Sequence, residues 1–471
     1  MNWMPRRADG SGPGPASRPD PLAPDAPPGT SPGAGTPTAR RASLNAAWGL
    51  LLLPMFFQLA YYKKDVGPFY LLAKVWPILV LPLALYGMFA LRLPRAALYA
   101  AFLAYALVLT PALSMVYLPN DVLDAAVSTI RAWPMVFYFA VPAALLLLRT
   151  SEVTVRRGAL AAGFATFALM WLLWLTVPAD WYDWSGLDSA LFSRADDHRD
   201  YFIRMPMALG QVAIFWLARR FAAERRPWQI VLAIGAIASM ALIYKARVPT
   251  GTTILVVGLA LFVALPSRLR LGLAALGAVP VAALAVVYGP GVPDLLANVF
   301  DSSLFIRLRS HGIALAWMTE APMRLLLGSG SIATSSATTL ADFFGYAQFS
   351  ITDIGWVGVL LEYGLVGTLL IVLIHLHALR DARAVAGRDP FRLALFDFVL
   401  AEVLASSVYS VMYAPGPVVT CAALAWWLAW RDARGVPAGE PAGAPSARPA
   451  LPVAAPDWAV TGVARTGPRF T

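Results

Sequence analysis

The chain has 471 residues, of which 59% are hydrophobic and 14% charged, and it carries a formal net charge of +10. A soluble domain carries about 25% charged residues, so the composition excludes a soluble enzyme. The positive charge does not signal nucleic-acid binding, because the arginines sit in short segments between apolar stretches, where topology determinants sit. The one cysteine, Cys421, lies in an apolar stretch and has no partner for an intrachain disulfide.

In chain order, residues 1–43 are rich in Pro, Gly, Ala, Ser and Asp. They lack the apolar periodicity that would offset the entropy of ordering, and read as a disordered tail. Residues 44–430 form the transmembrane domain, an all-α polytopic array of about twelve apolar helices of bilayer-spanning length. The spans lie near 45–61, 70–91, 96–118, 132–148, 159–177, 206–222, 229–245, 250–266, 271–288, 352–379, 393–412 and 414–430. The first reads as an uncleaved span and not a signal peptide. Pro54, Pro77, Pro82, Pro111 and Pro142 fall inside spans, where neighbouring helices can satisfy the freed backbone groups. Residues 431–471, with their Ala-Pro and Pro-Ala steps, form a second disordered tail.

Alternate loops carry the arginines: Arg92 and Arg95; Arg149, Arg156 and Arg157; Arg219, Arg220, Arg225 and Arg226; Arg268 and Arg270; Arg380, Arg383, Arg388 and Arg392; Arg431 and Arg434. The positive-inside bias puts these loops, and with an even span count both termini, in the cytoplasm. The opposite loops differ. Residues 178–205 are acidic and aromatic, with Trp181, Tyr182 and Trp184 suited to an interfacial belt, and include His198, Arg194, Arg199 and Arg204. Residues 289–351, between the ninth and tenth spans, are too long for a structureless loop. Their Leu, Ile and Trp content suggests short helices over the outer face.

That outer region holds the charges that topology does not explain. Lys245 and Arg247 end the seventh span; Arg307, Arg309 and His311 lie in SSLFIRLRSHG; Arg324 follows. Cations on the translocated side cost less when they face a polar ligand, and the guanidinium fork suits a phosphate or diphosphate. Any one of these arginines can instead snorkel or pair with Asp294 or Asp301; as a cluster they favour a site. On a helix Arg307 and His311 share a face and Arg309 points away. Asp353, where the tenth span opens, either acts as a general base or caps the helix. Glu362 is an acid within a span, which is expensive and calls for a partner. Gly355 and Gly358, then Gly364 and Gly367, read as small-residue packing stripes. His375 and His377, at spacing i, i+2, face apart and make a poor metal site. The acidic run at 196–200 reads as a solvated loop. HExxH, CxxC, Walker and dinucleotide patterns are missing, so no metal, nucleotide or other cofactor is expected.

Across about residues 200–380 the layout resembles the O-antigen ligase and polymerase superfamily. The likeness is carried by Lys245-Ala246-Arg247 between two spans, by Arg307 and Arg309 followed by Glu320-Ala321-Pro322 and Gly328-Ser329-Gly330, and by Asp353 followed by Glu362-x-Gly364-x-x-Gly367. Ligases commonly carry a His-Asn pair where this chain has Thr352-Asp353, which tilts the reading to a polymerase of exopolysaccharide or O-antigen type. The resemblance implies a metal-independent glycosyltransferase in a bacterial inner membrane, joining undecaprenyl-diphosphate-linked repeat units at the periplasmic face. Its partners would be the lipid-linked oligosaccharide, membrane lipid and other polysaccharide-assembly proteins. Lys245, Arg247, Arg307, Arg309 and Arg204 would bind the diphosphate, and Asp353 or His311 would take the acceptor proton. A ligase, or a transporter of lipid-linked oligosaccharide built on broken helices, is the alternative.

Overall fold

The structure, a computed structural model, describes residues 74–178, 193–196, 200–203, 205–274, 292–332, 338–410, 412 and 414–440. The N-terminal tail, residues 441–471 of the C-terminal one, the span near 45–61, most of the span near 271–288, the aromatic belt residues 181–184, Arg199, His198 and Arg204 lie outside the described residues. Residues 431–440 correct the expected disordered tail: they continue the last helix to Ala433 and are then held by Arg431, which bonds the carbonyls of Pro437 and Glu440. So do the side chains of Arg194, Asp294 and Asp301.

The described chain is mostly helical. Helix α1 is Leu81–Ala90; α2 is Ala96–Tyr117; α3 and α4 are Val122–Arg131 and Trp133–Leu147; α5 is Glu152–Thr176. A β-hairpin of Ser193–Asp196 and Asp200–Ile203 follows, with Arg194 opposite Phe202 in antiparallel register. Then come α6 (Ala208–Glu224), α7 (Pro227–Tyr244), α8 (Arg247–Val263) and α9 (Val292–Thr319). The remainder are α10 (Pro322–Leu327), α11 (Leu340–Phe343), α12 (Gly355–Ala386), α13 (Pro390–Ala405) and α14 (Gly416–Ala433).

The expected twelve spans are corrected. Among the described residues four helices are long and apolar enough to cross a membrane: α2, α5, α7 and Ile351–Ala386. A fifth is counted if α3 and α4, bent by 52° at their junction, form one broken span. The physical reason is length and charge. Helix α8 has 17 residues and rises about 25 Å at 1.5 Å per residue, short of a hydrocarbon core of about 30 Å. Helix α1 has 10 residues. Helices α6, α13 and α14 carry Arg219, Asp397 and Arg431 within them. Two further expectations change. The acidic 178–205 segment contains the hairpin, so the chain is not purely helical. The 289–351 segment is built on one helix of 28 residues, α9, followed by two short ones.

Proline explains the local irregularity of α2. Pro111 has no N–H and its ring would clash with the carbonyl four residues back. The helix answers with a π-turn over Tyr105–Leu109, and the Thr110 backbone N–H and hydroxyl both reach the Tyr105 carbonyl, the hydroxyl at 3.2 Å. Around this irregular helix the buried core is aromatic and aliphatic. Tyr99 and Tyr138 stack with ring centroids 3.5 Å apart, and Phe102, Phe139, Phe215, Phe398 and Trp427 are fully buried.

One end of the bundle is an ion-pair layer. Arg219 holds Asp397 through two bonds of 2.6 Å. Arg392 grips Glu152 at 2.9 and 2.8 Å and Asp432 at 2.6 and 2.9 Å. Arg156 reaches Asp389 at 3.6 Å. The arginine-bearing segments near 149–157, 380–392 and 431–434 therefore meet at one end, as their expected common side requires. Arg431 is fully buried and donates to the carbonyls of Pro437 and Glu440 at 2.6 and 2.8 Å, which seats the chain after α14.

Candidate functional site

The far end of the bundle is organised by a break. Helix α12 is interrupted at Gly364, whose φ of 62° and ψ of −173° are non-helical. That backbone is open essentially to glycine alone. Breaking a helix inside an apolar segment strands its carbonyls, and in an apolar surround each must be satisfied internally. The Gly328–Ser331 segment does this. Ser329 donates its backbone N–H and its hydroxyl to the Leu361 carbonyl at 2.9 and 3.0 Å, and Gly330 donates to the Glu362 carbonyl at 3.0 Å. The Tyr105 hydroxyl, re-aimed by the π-turn, lies 3.0 Å from the Tyr363 carbonyl and 2.7 Å from that of Leu327. Gly328 must be small as well: a Cβ there would lie 2.5 Å from the Glu362 carbonyl oxygen, and one on Gly364 would strike the Gly328 nitrogen. The Gly328-Ser329-Gly330 and Glu362-x-Gly364-x-x-Gly367 motifs, far apart in the chain, thus form one structure. Close packing explains all four glycines, and at Gly364 and Gly355, the latter at φ 52°, the backbone conformation adds a second reason.

Glu362 is buried at this break and has no ion pair among the described residues; the nearby charge of Arg131 favours its ionised form. Arg131 closes α3 at the bend into α4.

Next to the break, α9 packs on α12 and on the 3₁₀ turn Ile351–Ile354 through Ala314, Met318, Phe349, Ile351, Ile354 and Leu361. This brings the helix of Arg307, Arg309 and His311 alongside the turn of Asp353. The segment is helical, so the two arginines diverge: the Arg309 guanidinium lies 4.6 Å from the centroid of the Tyr346 ring. Nδ1 of His311 is 2.7 Å from the Arg307 carbonyl. A carbonyl only accepts, so Nδ1 carries the proton and Nε2 is left as the basic nitrogen. Asp353 does not cap α12: the cap residue is Ile354 and makes no side-chain bond. The half-buried carboxylate of Asp353 has no hydrogen bond or ion pair among the described residues. A capping box of Thr339 and Asp342 opens α11 nearby, and its hydrogen bonds hold the Asp342 carboxyl below its usual range.

Lys245 and Arg247 are placed differently. Lys245 ends α7 with a left-handed backbone, φ 50°, and Arg247 is exposed at the start of α8. Helix α8 packs on α6 and α13, whereas α9 packs on α10 and α12. Direct side-chain contact does not unite Arg247 with Arg307 or Arg309. What the two groups share is a wall. The segment that follows α13 touches the Asp353 turn, where Ser410 donates to the Thr352 carbonyl at 2.9 Å, and α13 itself flanks α8.

Sequence reading missed a buried relay at the other end of α12. The Tyr99 hydroxyl meets His377 Nδ1 at 3.0 Å, and His377 Nε2 lies 2.7 Å from Asp381. The signal was present as His377 and Asp381 four residues apart on a helix. His375 faces elsewhere, with Nδ1 2.8 Å from the Ile371 carbonyl. Among the described residues no cluster of His, Cys, Asp and Glu is arranged to hold a metal ion. No protein-family model matches the chain, and no curated protein matches it.

Proposed function

We propose that the chain is an inner-membrane glycosyltransferase that polymerises undecaprenyl-diphosphate-linked repeat units at the periplasmic face, with both termini in the cytoplasm. One observation carries the reading: a carboxylate with no partner among the described residues, Asp353, stands on a turn packed against the helix that presents His311 with Nε2 basic and Arg307 on the same face. In the transfer, the acceptor hydroxyl oxygen bonds to the anomeric carbon of the donor. The bond from that carbon to the diphosphate oxygen breaks, and the diphosphate leaves with the electron pair. Asp353 or His311 takes the hydroxyl proton. Arginine from α9, with Lys245 and Arg247 beyond the α13 wall, stabilises the charge growing on the diphosphate. The diphosphate is its own good leaving group, so the step uses neither metal nor nucleotide.

The test is the purified protein with a defined lipid-linked repeat unit, scored for a polymer ladder. Arg247→Ala and Arg307→Ala are expected to abolish the ladder while the protein still accumulates in the membrane. Full-length polymer from both variants removes the diphosphate site. Transfer onto a different acceptor, with no ladder, makes the chain a ligase.

A second reading has its own support. Broken helices around a buried ionisable residue are what a transporter uses, and Gly364, the α3–α4 bend, Glu362 and Arg131 fit that description. A flippase lacking function would trap repeat units at the inner face; a polymerase lacking function would trap them at the outer face.

A further inference from the structure

Buried polar atoms are nearly always paired, yet five unpaired ones gather where the far end of α2 meets the chain from α9 to Ser331. They are Nε and Nη1 of Arg324, Nε1 of Trp317, Oδ1 of Asn120 and Oγ of Ser331. Contacts tie them into one place. The Arg324 guanidinium carbon sits 3.8 Å from the centroid of the Trp317 ring and 5.9 Å from that of Tyr117. Three residues beyond Tyr117, Asn120 donates its Nδ2 to the Ser331 carbonyl at 2.9 Å. That bond fixes the amide, because only the nitrogen can donate to a carbonyl, and so leaves Oδ1 as a free acceptor. Among the described residues Arg324 itself is hydrogen-bonded only through Nη2, by Glu320 at 3.2 Å, and the two differ in exposure: the Arg324 side chain is 11% exposed and that of Glu320 60%. A carboxylate so exposed is a weak, readily exchanged partner.

We infer that Arg324, Trp317, Asn120 and Ser331 form a binding site for an oxyanion that carries neighbouring hydroxyl groups. The guanidinium and the indole N–H donate to the anionic oxygens, in place of Glu320. The Asn120 oxygen accepts from an adjacent hydroxyl, a group that a bare phosphate ion lacks. The Tyr117 and Trp317 rings supply the apolar faces on which a sugar or glycerol backbone rests. Two sources share this chemistry: a hexuronate residue of a glycan, and the glycerol-phosphate headgroup of an anionic lipid. The site goes beyond the transfer reaction and does not depend on it, since binding alone reports it.

The experiment uses the full chain in phosphatidylcholine nanodiscs, with sodium glucuronate, glucose and inorganic phosphate as soluble probes read by saturation-transfer NMR. A parallel arm uses nanodiscs containing phosphatidylglycerol, with lipid retention read by native mass spectrometry. Glucuronate binding at least tenfold tighter than glucose or phosphate, and at least tenfold weaker in Arg324→Gln, supports the site with a glycan source. Retained phosphatidylglycerol that is lost in Arg324→Gln supports it with a lipid source. Asn120→Ala and Trp317→Phe repeat the readout, so a misfolded Arg324 variant does not spare the proposal. Equal binding of glucose and glucuronate with no retained phosphatidylglycerol, or binding that none of the three variants weakens, overturns it.

Discussion

The two ends of the helix bundle treat charge in opposite ways. At the arginine-rich end, Arg219, Arg392, Arg156 and Arg431 are each engaged, by Asp397, by Glu152 and Asp432, by Asp389, and by backbone carbonyls. At the other end, among the described residues, Asp353 has no partner and Arg247 stands exposed, while Arg309 faces an aromatic ring and not a carboxylate. The contrast separates two uses of the same residue types. Charges that close onto one another fix helix positions and have nothing left to offer a ligand. Charges left open contribute little to the fold and are available for chemistry.

That division makes predictions about both ends. The largest effect is on activity: Asp353→Asn is expected to lower polymer formation by about 10²–10⁴-fold, the usual worth of a general base, with thermal stability in detergent unchanged. A normal rate from the variant would take the base role from Asp353 and leave His311. The mirror case is Arg219→Ala, which strands the 1% exposed Asp397 carboxylate. Losing one partner of a buried pair costs about 3–5 kcal/mol, so the melting temperature should fall sharply; an unshifted melt would mean that the layer does not hold the fold. The break in α12 comes next. Gly364→Ala forces a side chain into a glycine-only backbone, worth roughly 1–3 kcal/mol of strain. Tyr105→Phe removes the one hydroxyl proton that the Leu327 and Tyr363 carbonyls share, at roughly 1–3 kcal/mol. Both should lower the melting point, and an unperturbed melt for either would show that the Gly328–Ser331 segment does not depend on the break.

The smallest effect concerns Asp342. Its folded pKa is depressed by the Thr339 bonds, so its contribution is present above the unfolded carboxylate pKa and is lost as pH falls through the depressed value. Thr339→Val removes the hydroxyl bond and keeps the backbone N–H bond, so it should raise the Asp342 titration part of the way to the ordinary range, read by carboxyl-carbon NMR, with the global melt unchanged. A titration that stays low would assign the depression to another group.

Particular residues show how far the sequence could be read. The apolar runs of α2, α5, α7 and α12 announced membrane helices because a segment about as long as the bilayer is thick has a signature independent of its neighbours. The arginine alternation foretold the shared end because charge asymmetry is a property of composition along the chain. The same method overcounted spans. A run of apolar residues does not reveal where a helix stops, and α1 and α8 end short while α6, α13 and α14 absorb charges that only a partner helix makes tolerable.

The sequence by itself determined membrane residence, helical class and the grouping of arginines, since each follows from local composition. Tertiary structure alone decided which charges are closed and which stay open. It alone paired the Gly328–Ser331 segment with the Gly364 break, and it converted Asp353 from a possible cap into a carboxylate with no partner among the described residues. The reason is that a hydrogen bond or ion pair is a property of two distant chain positions brought within about 3 Å, and neither position carries a record of the other.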